Sequence, residues 1–201
     1  MKNAKIVGAV IGSCISFLIS GLCVGATYRN YEVNFIHFPQ AKTNWCWAAS
    51  AQSSGRHACS ASTKTQAEIV MHTLGSLDNE TATIDMTAAA ASYAANNTVT
   101  YRGLEQKIVT EHVVYQIIHD HVAIVGYTCP IEYFPGLYIY DGHITTVTRF
   151  EAYTNVNQKN IYLYDPAQDE VKLYNFTDLY NGTNTYGTND DGYVLCAYAL
   201  Y

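Results

Sequence analysis

Residues 40–50 read QAKTNWCWAAS and place a single cysteine, Cys46, between two tryptophans at the predicted start of a helix. Thr43 and Asn44 precede the cysteine and are residue types that cap helix N-termini, whereas alanines follow it. Gly55 is then available to end the helix. A helix N-terminus and a nearby imidazolium both favour the thiolate form of a cysteine. The stretch therefore predicts a nucleophilic thiol at a helix start.

Gln40 lies six positions before Cys46, on the loop that enters the predicted helix. Its side-chain amide and the backbone N–H of Cys46 are two donors that can stabilise the oxyanion formed when a thiolate attacks a carbonyl. Taken alone, Cys46 is better explained as a buried core residue, because most free cysteines are small core residues. The catalytic interpretation therefore depends on partners elsewhere in the chain.

Residues 1–26 are predicted to be a signal peptide. Lys2 and Lys5 give a positive start, residues 6–22 are mostly apolar, and small residues precede the expected cleavage after Ala26. We expect export, with a secreted or cell-surface location. The alternative is an uncleaved N-terminal anchor, because the apolar stretch approaches the ~20 residues that span a bilayer.

Residues 27–201 are expected to form one domain, because no repeat, proline-rich linker or long charge block divides them. The chain carries 11 basic and 17 acidic residues, a net charge of -6. This excess of acidic residues argues against electrostatic binding to nucleic acid or to anionic lipid. We therefore expect no nucleic-acid partner, and no membrane association once the signal peptide is removed.

Four cysteines remain after the signal peptide: Cys46, Cys59, Cys129 and Cys196. With Cys46 reserved for chemistry, an exported protein can join two of the other three in a disulfide. Sequence spacing does not choose the pair, and all three can also stay reduced. No Cys-x-x-Cys motif occurs, so we expect no structural zinc site.

Helical patterns come first along the chain and strand patterns second. Apolar periodicity predicts helices over 46–54, 64–74, 86–95 and 104–118. Short β-branched and aromatic runs then predict strands, which read VAIVGY, LYIYD, HITTVTRF, NIYLYDP, EVKLYNF and YVLCAYALY. This order predicts an α+β domain in which an N-terminal helical half packs on an antiparallel sheet, with the active-site cleft between them.

A thiolate nucleophile needs a base and a third group that orients the base. His143 opens the run HITTVTRF, and Asp165 ends the run NIYLYDP. A hairpin whose turn is centred near residue 154 would set the two residues directly opposite each other, about 5 Å apart at the side-chain roots. A turn centred nearer residue 156 would shift the partner by a few positions.

His121 is the alternative base, because it opens VAIVGY and Asp141 ends the run LYIYD. We favour His143, since His121 stands at an ordinary strand entrance after a short turn. The triplet 119–121, His-Asp-His, could instead hold a metal through alternate strand positions, but a third ligand is not evident. We therefore expect neither a metal nor an organic cofactor.

These motifs resemble those of the papain-like cysteine peptidases, especially the compact bacterial branch that includes avirulence-type effectors and bacteriocin-leader peptidases. The resemblance covers most of residues 27–201 and rests on four elements: Q-x5-C-W-A-A from Gln40, T-Q-A-E-I-V at 65–70, Gly-His at 142–143 and Y-L-Y-D-P at 162–166. It implies a papain-like fold. It also implies that Gln40 lines the oxyanion hole, Cys46 is the nucleophile, His143 the base and Asp165 the orienting residue.

Two features depart from the family pattern. Residues 119–121 replace the usual Gly-Arg/Lys-Pro turn, and Thr145, Thr146 and Thr148 occupy a strand where aliphatic residues are usual. The resemblance nevertheless implies a secreted cysteine peptidase that acts on a peptide or protein substrate. We expect the peptidase to be a monomer. The alternatives are an acyl transferase or cell-wall peptide amidase with the same nucleophile, or a non-enzymatic secreted binding protein that keeps the fold.

Overall fold

The computed structural model describes residues 28–107, 113–114, 116–117, 119–134, 137–153, 158–181 and 195–200. The expected signal peptide at 1–26 lies outside these ranges. No helix within them combines the length and apolarity needed to cross a membrane.

Strand β1 (Tyr28–Glu32) precedes three helices, α1 (Cys46–Ala58), α2 (Gln66–Leu74) and α3 (Ile84–Ala94). The strands that follow are β2 (Thr100–Lys107), β3 (Ile124–Phe134), β4 (Leu137–Tyr153), β5 (Gln158–Asp165), β6 (Glu170–Asn175) and β7 (Leu195–Leu200), with the short helix α4 (Phe176–Asn181) after β6. They form one sheet in the order β2-β7-β3-β4-β5-β6, and β1 pairs with β4. Every ladder is antiparallel. The predicted α+β class is confirmed.

Two predicted elements differ from the structure. The helix expected over 104–118 is wrong in its first part, because residues 104–107 belong to β2; helical conformation is described only at 113–114 and 116–117. Leu-Glu-Gln-Lys is a good helix-forming sequence, but pairing with β7 outweighs that local preference. The runs LYIYD and HITTVTRF form one strand, since residues 141–143 stay in register with β3. Neither β1 nor α4 was predicted.

Helix α2 ends at Leu74 as predicted and begins at Gln66, two residues after the predicted start. Thr65 caps it in a capping box with Glu68, and Gly75 follows in the left-handed conformation with φ 73°. Helix α1 differs from expectation at both ends. Its N-cap is Trp45, which makes no side-chain capping bond, and Gly55 lies inside the helix.

Gly55 permits a close approach of α1 to α3. A Cβ at this position would lie 2.4 Å from the Cβ of Ala94. The glycine that was expected to stop the helix instead lets α1 pack against a neighbouring helix.

The core lies on both sides of the sheet. One cluster joins the three N-terminal helices to Ile124 and Ile144, and it includes the fully buried Trp47. The other cluster covers the opposite sheet face and includes Val147 and Leu163, which pair across β4 and β5. Helix α1 packs against α2, α3 and the sheet in the first cluster. This packing fixes the position of Cys46, the first residue of α1.

The structure bears on the predicted disulfide. Cys59 is a free thiol. Cys196 pairs with Val125 across β7 and β3, which separates its Cα from that of Cys129 by roughly 13 Å along the strand direction. A disulfide needs Cα atoms about 4.4–6.8 Å apart, so this register does not match a Cys129–Cys196 bond.

Candidate active site

Cys46 is the first residue of α1 and is 6% exposed. The indole N–H groups of its two neighbours anchor the helix start: Trp45 donates to the carbonyl of Asp78, and Trp47 donates to that of Glu80, each at 3.1 Å. Asn44, expected to cap the helix, instead donates through its side chain to the carbonyl of Asn79 at 2.8 Å. The segment after α2 thus holds the helix start in place of a side-chain cap.

His143 lies on β4, opposite Tyr127 of β3. The Tyr127 ring meets the imidazole edge to face, with ring centroids 5.6 Å apart. The Cys46 thiol is among the groups that raise the pKa of the imidazole, and Cys46 packs in one cluster with Ile144, the residue after His143. Nε2 lies 2.8 Å from Asp165 Oδ1, which leaves Nδ1 as the ring nitrogen for the thiol. The structure therefore brings together the three residues of the predicted arrangement.

Asp165 ends β5, and its side chain is only 3% exposed. Besides His143, its Oδ1 accepts a hydrogen bond from the Ala167 backbone N–H at 2.9 Å. Its Oδ2 accepts one from Lys172 Nζ at 2.8 Å. This buried carboxylate is therefore held between two cationic side chains, as a buried charge requires.

The electrostatics of the pair follow from these contacts. Burial alone lowers the pKa of His143, but its hydrogen bonds to Asp165 and Cys46 outweigh burial and raise that pKa to about 9. Burial alone raises the pKa of Asp165, but the contacts with His143 and Lys172 hold it well below its usual range. At neutral pH the imidazole is accordingly an imidazolium and Asp165 a carboxylate.

The register between β4 and β5 differs from the prediction. Val147 pairs with Leu163, and the ladder continues so that Asp165 is opposite position 145 and diagonal to His143. The predicted direct pairing is wrong, because the last pair before the turn, Tyr153 with Gln158, centres the turn between residues 155 and 156 instead of near 154. A diagonal neighbour on the same face still lies within reach of a histidine side chain.

Gln40 lies beside this pair on the loop before α1. Its backbone N–H donates to the carbonyl of Pro166 at 2.8 Å, which joins the loop to the end of β5. Its side-chain Nε2 donates to the carbonyl of Thr43 at 2.7 Å. Its Oε1 is buried and accepts no hydrogen bond from the residues that the structure describes. Because an amide nitrogen carries two hydrogens, the bond to Thr43 leaves one N–H for another acceptor.

His121 lies apart from this group. Burial and the nearby His57 and His119 lower its pKa, and His57 belongs to the C-terminal end of α1. His57 is eleven residues from Cys46, or roughly 17 Å along the helix. The alternative base therefore does not lie next to the thiol. In the described part of the chain, no three His, Cys, Asp or Glu side chains are grouped so that they could hold a metal ion.

Lys172 was missed by the sequence interpretation. It lies on β6 between Val171 and Leu173, which are both exposed, and pairs with Leu163 of β5. In the sequence, a lysine between two apolar residues of a strand is only a weak indication of a functional role. The pairing of β6 with β5 is what brings this lysine to Asp165. Two surface cavities of about 390 and 400 Å³ lie elsewhere, and neither is lined by Cys46, His143 or Asp165.

Comparison with models of known protein families and with curated protein sequences finds no match for this chain. The papain-like resemblance consequently rests on the residues quoted above. The contact between His143 and Asp165 near Cys46 is an observation separate from that resemblance, and it concerns the same nucleophilic chemistry.

Proposed function

We propose that this protein is an exported papain-like cysteine peptidase. The observation that carries the proposal is the chain of contacts in which the Cys46 thiol neighbours an imidazole whose Nε2 lies 2.8 Å from the buried carboxylate of Asp165. A thiol, a base and an orienting acid in this order are the parts that nucleophilic acyl transfer requires. A core cysteine would need no charged partners.

The first step is attack by the Cys46 sulfur on a peptide carbonyl carbon. The sulfur reacts as the thiolate after its proton passes to His143, since a neighbouring imidazolium favours the ionised form of a thiol. As the S–C bond forms, the carbonyl electron pair moves to oxygen. The Cys46 backbone N–H and the free N–H of Gln40 Nε2 stabilise this oxyanion.

Collapse of the tetrahedral intermediate breaks the C–N bond. His143 gives the leaving nitrogen a proton from Nδ1, so the amine leaves neutral and an acyl-thioester remains on Cys46. His143 then takes a proton from water, whose oxygen attacks the thioester. Release of the carboxylic acid returns the thiolate–imidazolium pair.

Asp165 and Lys172 support these steps without contacting the substrate. The hydrogen bond from His143 Nε2 to Asp165 fixes the orientation of the ring and leaves Nδ1 as the nitrogen that can exchange a proton with the sulfur. Lys172 holds the other carboxylate oxygen at 2.8 Å. The carboxylate therefore has one orientation and remains ionised.

Covalent labelling tests the proposal with a matched control in the same helix region. A thiol-directed epoxide should modify Cys46 and stop cleavage of a peptide library, and Cys46→Ala should abolish both labelling and hydrolysis. Cys59→Ala, which removes the free thiol just after α1, should retain both. Hydrolysis by Cys46→Ala at the wild-type rate would sink the proposal. Formation of an amide product with an added amine would identify acyl transfer as the main reaction.

A further inference from the structure

Gln66 is the first residue of α2, and its side chain reaches across to the loop that carries Gln40. The residue is 8% exposed. Its Nε2 donates to the carbonyl of Pro39 at 2.8 Å, and its Oε1 accepts from the backbone N–H of Ala41 at 2.8 Å. One amide group thus binds the residues immediately before and after Gln40.

The orientation of the Gln66 amide is determined by a third contact. Gln52 Oε1 accepts from Gln66 Nε2 at 3.2 Å, and Gln52 Nε2 in turn donates to the carbonyl of Lys64 at 2.9 Å. With Gln52 and Pro39 both accepting, nitrogen and oxygen of Gln66 cannot exchange places without losing every bond. The bonds to Gln52 and Pro39 therefore determine that Nε2 of Gln66 faces Pro39 and that its Oε1 faces Ala41.

The loop is also held from its other side. The Gln40 backbone N–H donates to the carbonyl of Pro166, next to Asp165. Together with the two bonds from Gln66, this fixes the backbone on both sides of Gln40 and at Gln40 itself. An oxyanion donor must lie about 2.7–3.1 Å from the developing charge, and misplacement by about 1 Å is costly.

We propose that Gln66 is a positioning residue that holds Gln40 in place for oxyanion stabilisation. The inference rests on the proposed function, since it assigns Gln66 a role in the same reaction. Gln66 does not touch the reacting atoms and acts through the loop at 39–41. Its removal should therefore slow acylation and leave the Cys46–His143 pair intact.

Gln66→Met keeps the side-chain length and removes both loop contacts. Turnover of a peptide substrate should fall on the order of tenfold in kcat, with KM within about twofold, because the donor is displaced rather than removed. Alkylation of Cys46 by iodoacetamide needs no oxyanion and should keep its wild-type rate and pH profile. Glu68→Ala is the control, since it breaks the capping box at the same end of α2 and leaves the loop contacts alone.

A double-mutant cycle separates positioning from general destabilisation. Gln40→Ala should lower kcat about 100-fold, the loss typical for one oxyanion donor. Gln66→Met added to Gln40→Ala should lower kcat no further, within about twofold, because its effect is transmitted through Gln40. Losses that multiply would overturn the inference.

Gln66→Glu provides a second variant if Gln66→Met does not fold. It keeps an acceptor for the Ala41 N–H and faces the Pro39 carbonyl with a carboxylate in place of a donor, so kcat should fall by a similar factor. If the wild type is active and Gln66→Met or Gln66→Glu has the wild-type kcat, the role of Gln66 is overturned and the proposed function is not. A wild type without Cys46-dependent turnover overturns the proposed function and this role together.

Discussion

His143 Nε2 lies 2.8 Å from Asp165 Oδ1, although the two residues are not directly opposite each other in the β4–β5 ladder. The reason is an irregularity at Thr148. Arg149 pairs with Tyr162 and Val147 with Leu163, so Thr148 is an extra residue in β4. A regular ladder continued from Arg149 would place His143 and Asp165 on opposite sheet faces, because one residue of slip reverses every side chain. The bulge puts both on one face.

The same irregularity marks a change of partner along β4. Residues 149–153 pair with β1, whereas residues 137–146 pair with β3. The Thr148 carbonyl accepts from the Val33 N–H at 3.0 Å, and the Val147 N–H donates to the Ala123 carbonyl at 2.9 Å. The bulge thus lies where the edge of β4 passes from one neighbour to the other, close to the proposed base.

Asp165→Asn tests the electrostatic coupling of the pair. Burial lowers the pKa of His143, and the Asp165 contact is the largest influence that raises it to about 9. Without the carboxylate charge the imidazolium loses its proton at lower pH. The alkaline limb of the kcat/KM profile should therefore move to lower pH, with kcat down about 10- to 100-fold.

Asp169→Asn is the matched control for that variant. Asp169 accepts from the Tyr164 hydroxyl at 2.7 Å and has no contact with His143 among the bonds described. Its pH profile should match that of the wild type. An unchanged alkaline limb in Asp165→Asn would contradict the coupling.

Lys172→Met removes the cation on Asp165 Oδ2. The carboxylate then has His143 as its remaining charged partner, so its negative charge acts more strongly on the imidazolium. We expect the alkaline limb to move to higher pH and kcat to fall about tenfold, because the carboxylate loses one of its fixed contacts. Lys172→Arg should recover most of kcat. Glu170→Gln, which removes an exposed partner 3.4 Å from Lys172, should leave the profile unchanged.

Stability should depend on pH through His143. Its folded-state pKa of about 9 exceeds the ordinary value of 6.5, so its contribution is complete below about pH 6.5 and disappears as the pH rises to about 9. The free energy of unfolding should fall by up to about 3 kcal/mol over that window. Denaturant titrations of the wild type and His143→Gln at several pH values measure it. Parallel curves for the two proteins would count against the ion pair.

The residues of the site were easier to predict from sequence than their arrangement. Gln40 and Cys46 are six positions apart on one loop and helix start, so their proximity is local. His143 and Asp165 are joined through strand pairing, and a small error in the turn centre shifts the partner. The strand patterns predicted that His143 begins a strand and Asp165 ends one, whereas His143 lies inside β4. Such patterns contain no information on a bulge.

Contacts between distant segments were the least predictable. Thr43 and Asn44 were expected to cap α1, yet indole bonds from Trp45 and Trp47 to residues 78 and 80 hold the helix start. Those carbonyls come close only when α1 packs on the segment after α2. Lys172 and Gln66 likewise reach their partners across elements, so neither role can be predicted from local sequence.

We propose that His143, and not His121, activates Cys46. The direct measurement is the rate of Cys46 alkylation by iodoacetamide across pH, with Cys59 as the internal reference thiol. Wild type and His121→Ala should alkylate Cys46 well ahead of Cys59 at about pH 6, because an imidazolium beside a thiol favours the reactive thiolate form. His143→Ala should lose that advantage. Undiminished low-pH reactivity in His143→Ala, or its loss in His121→Ala, would show that His143 is not the base that activates Cys46.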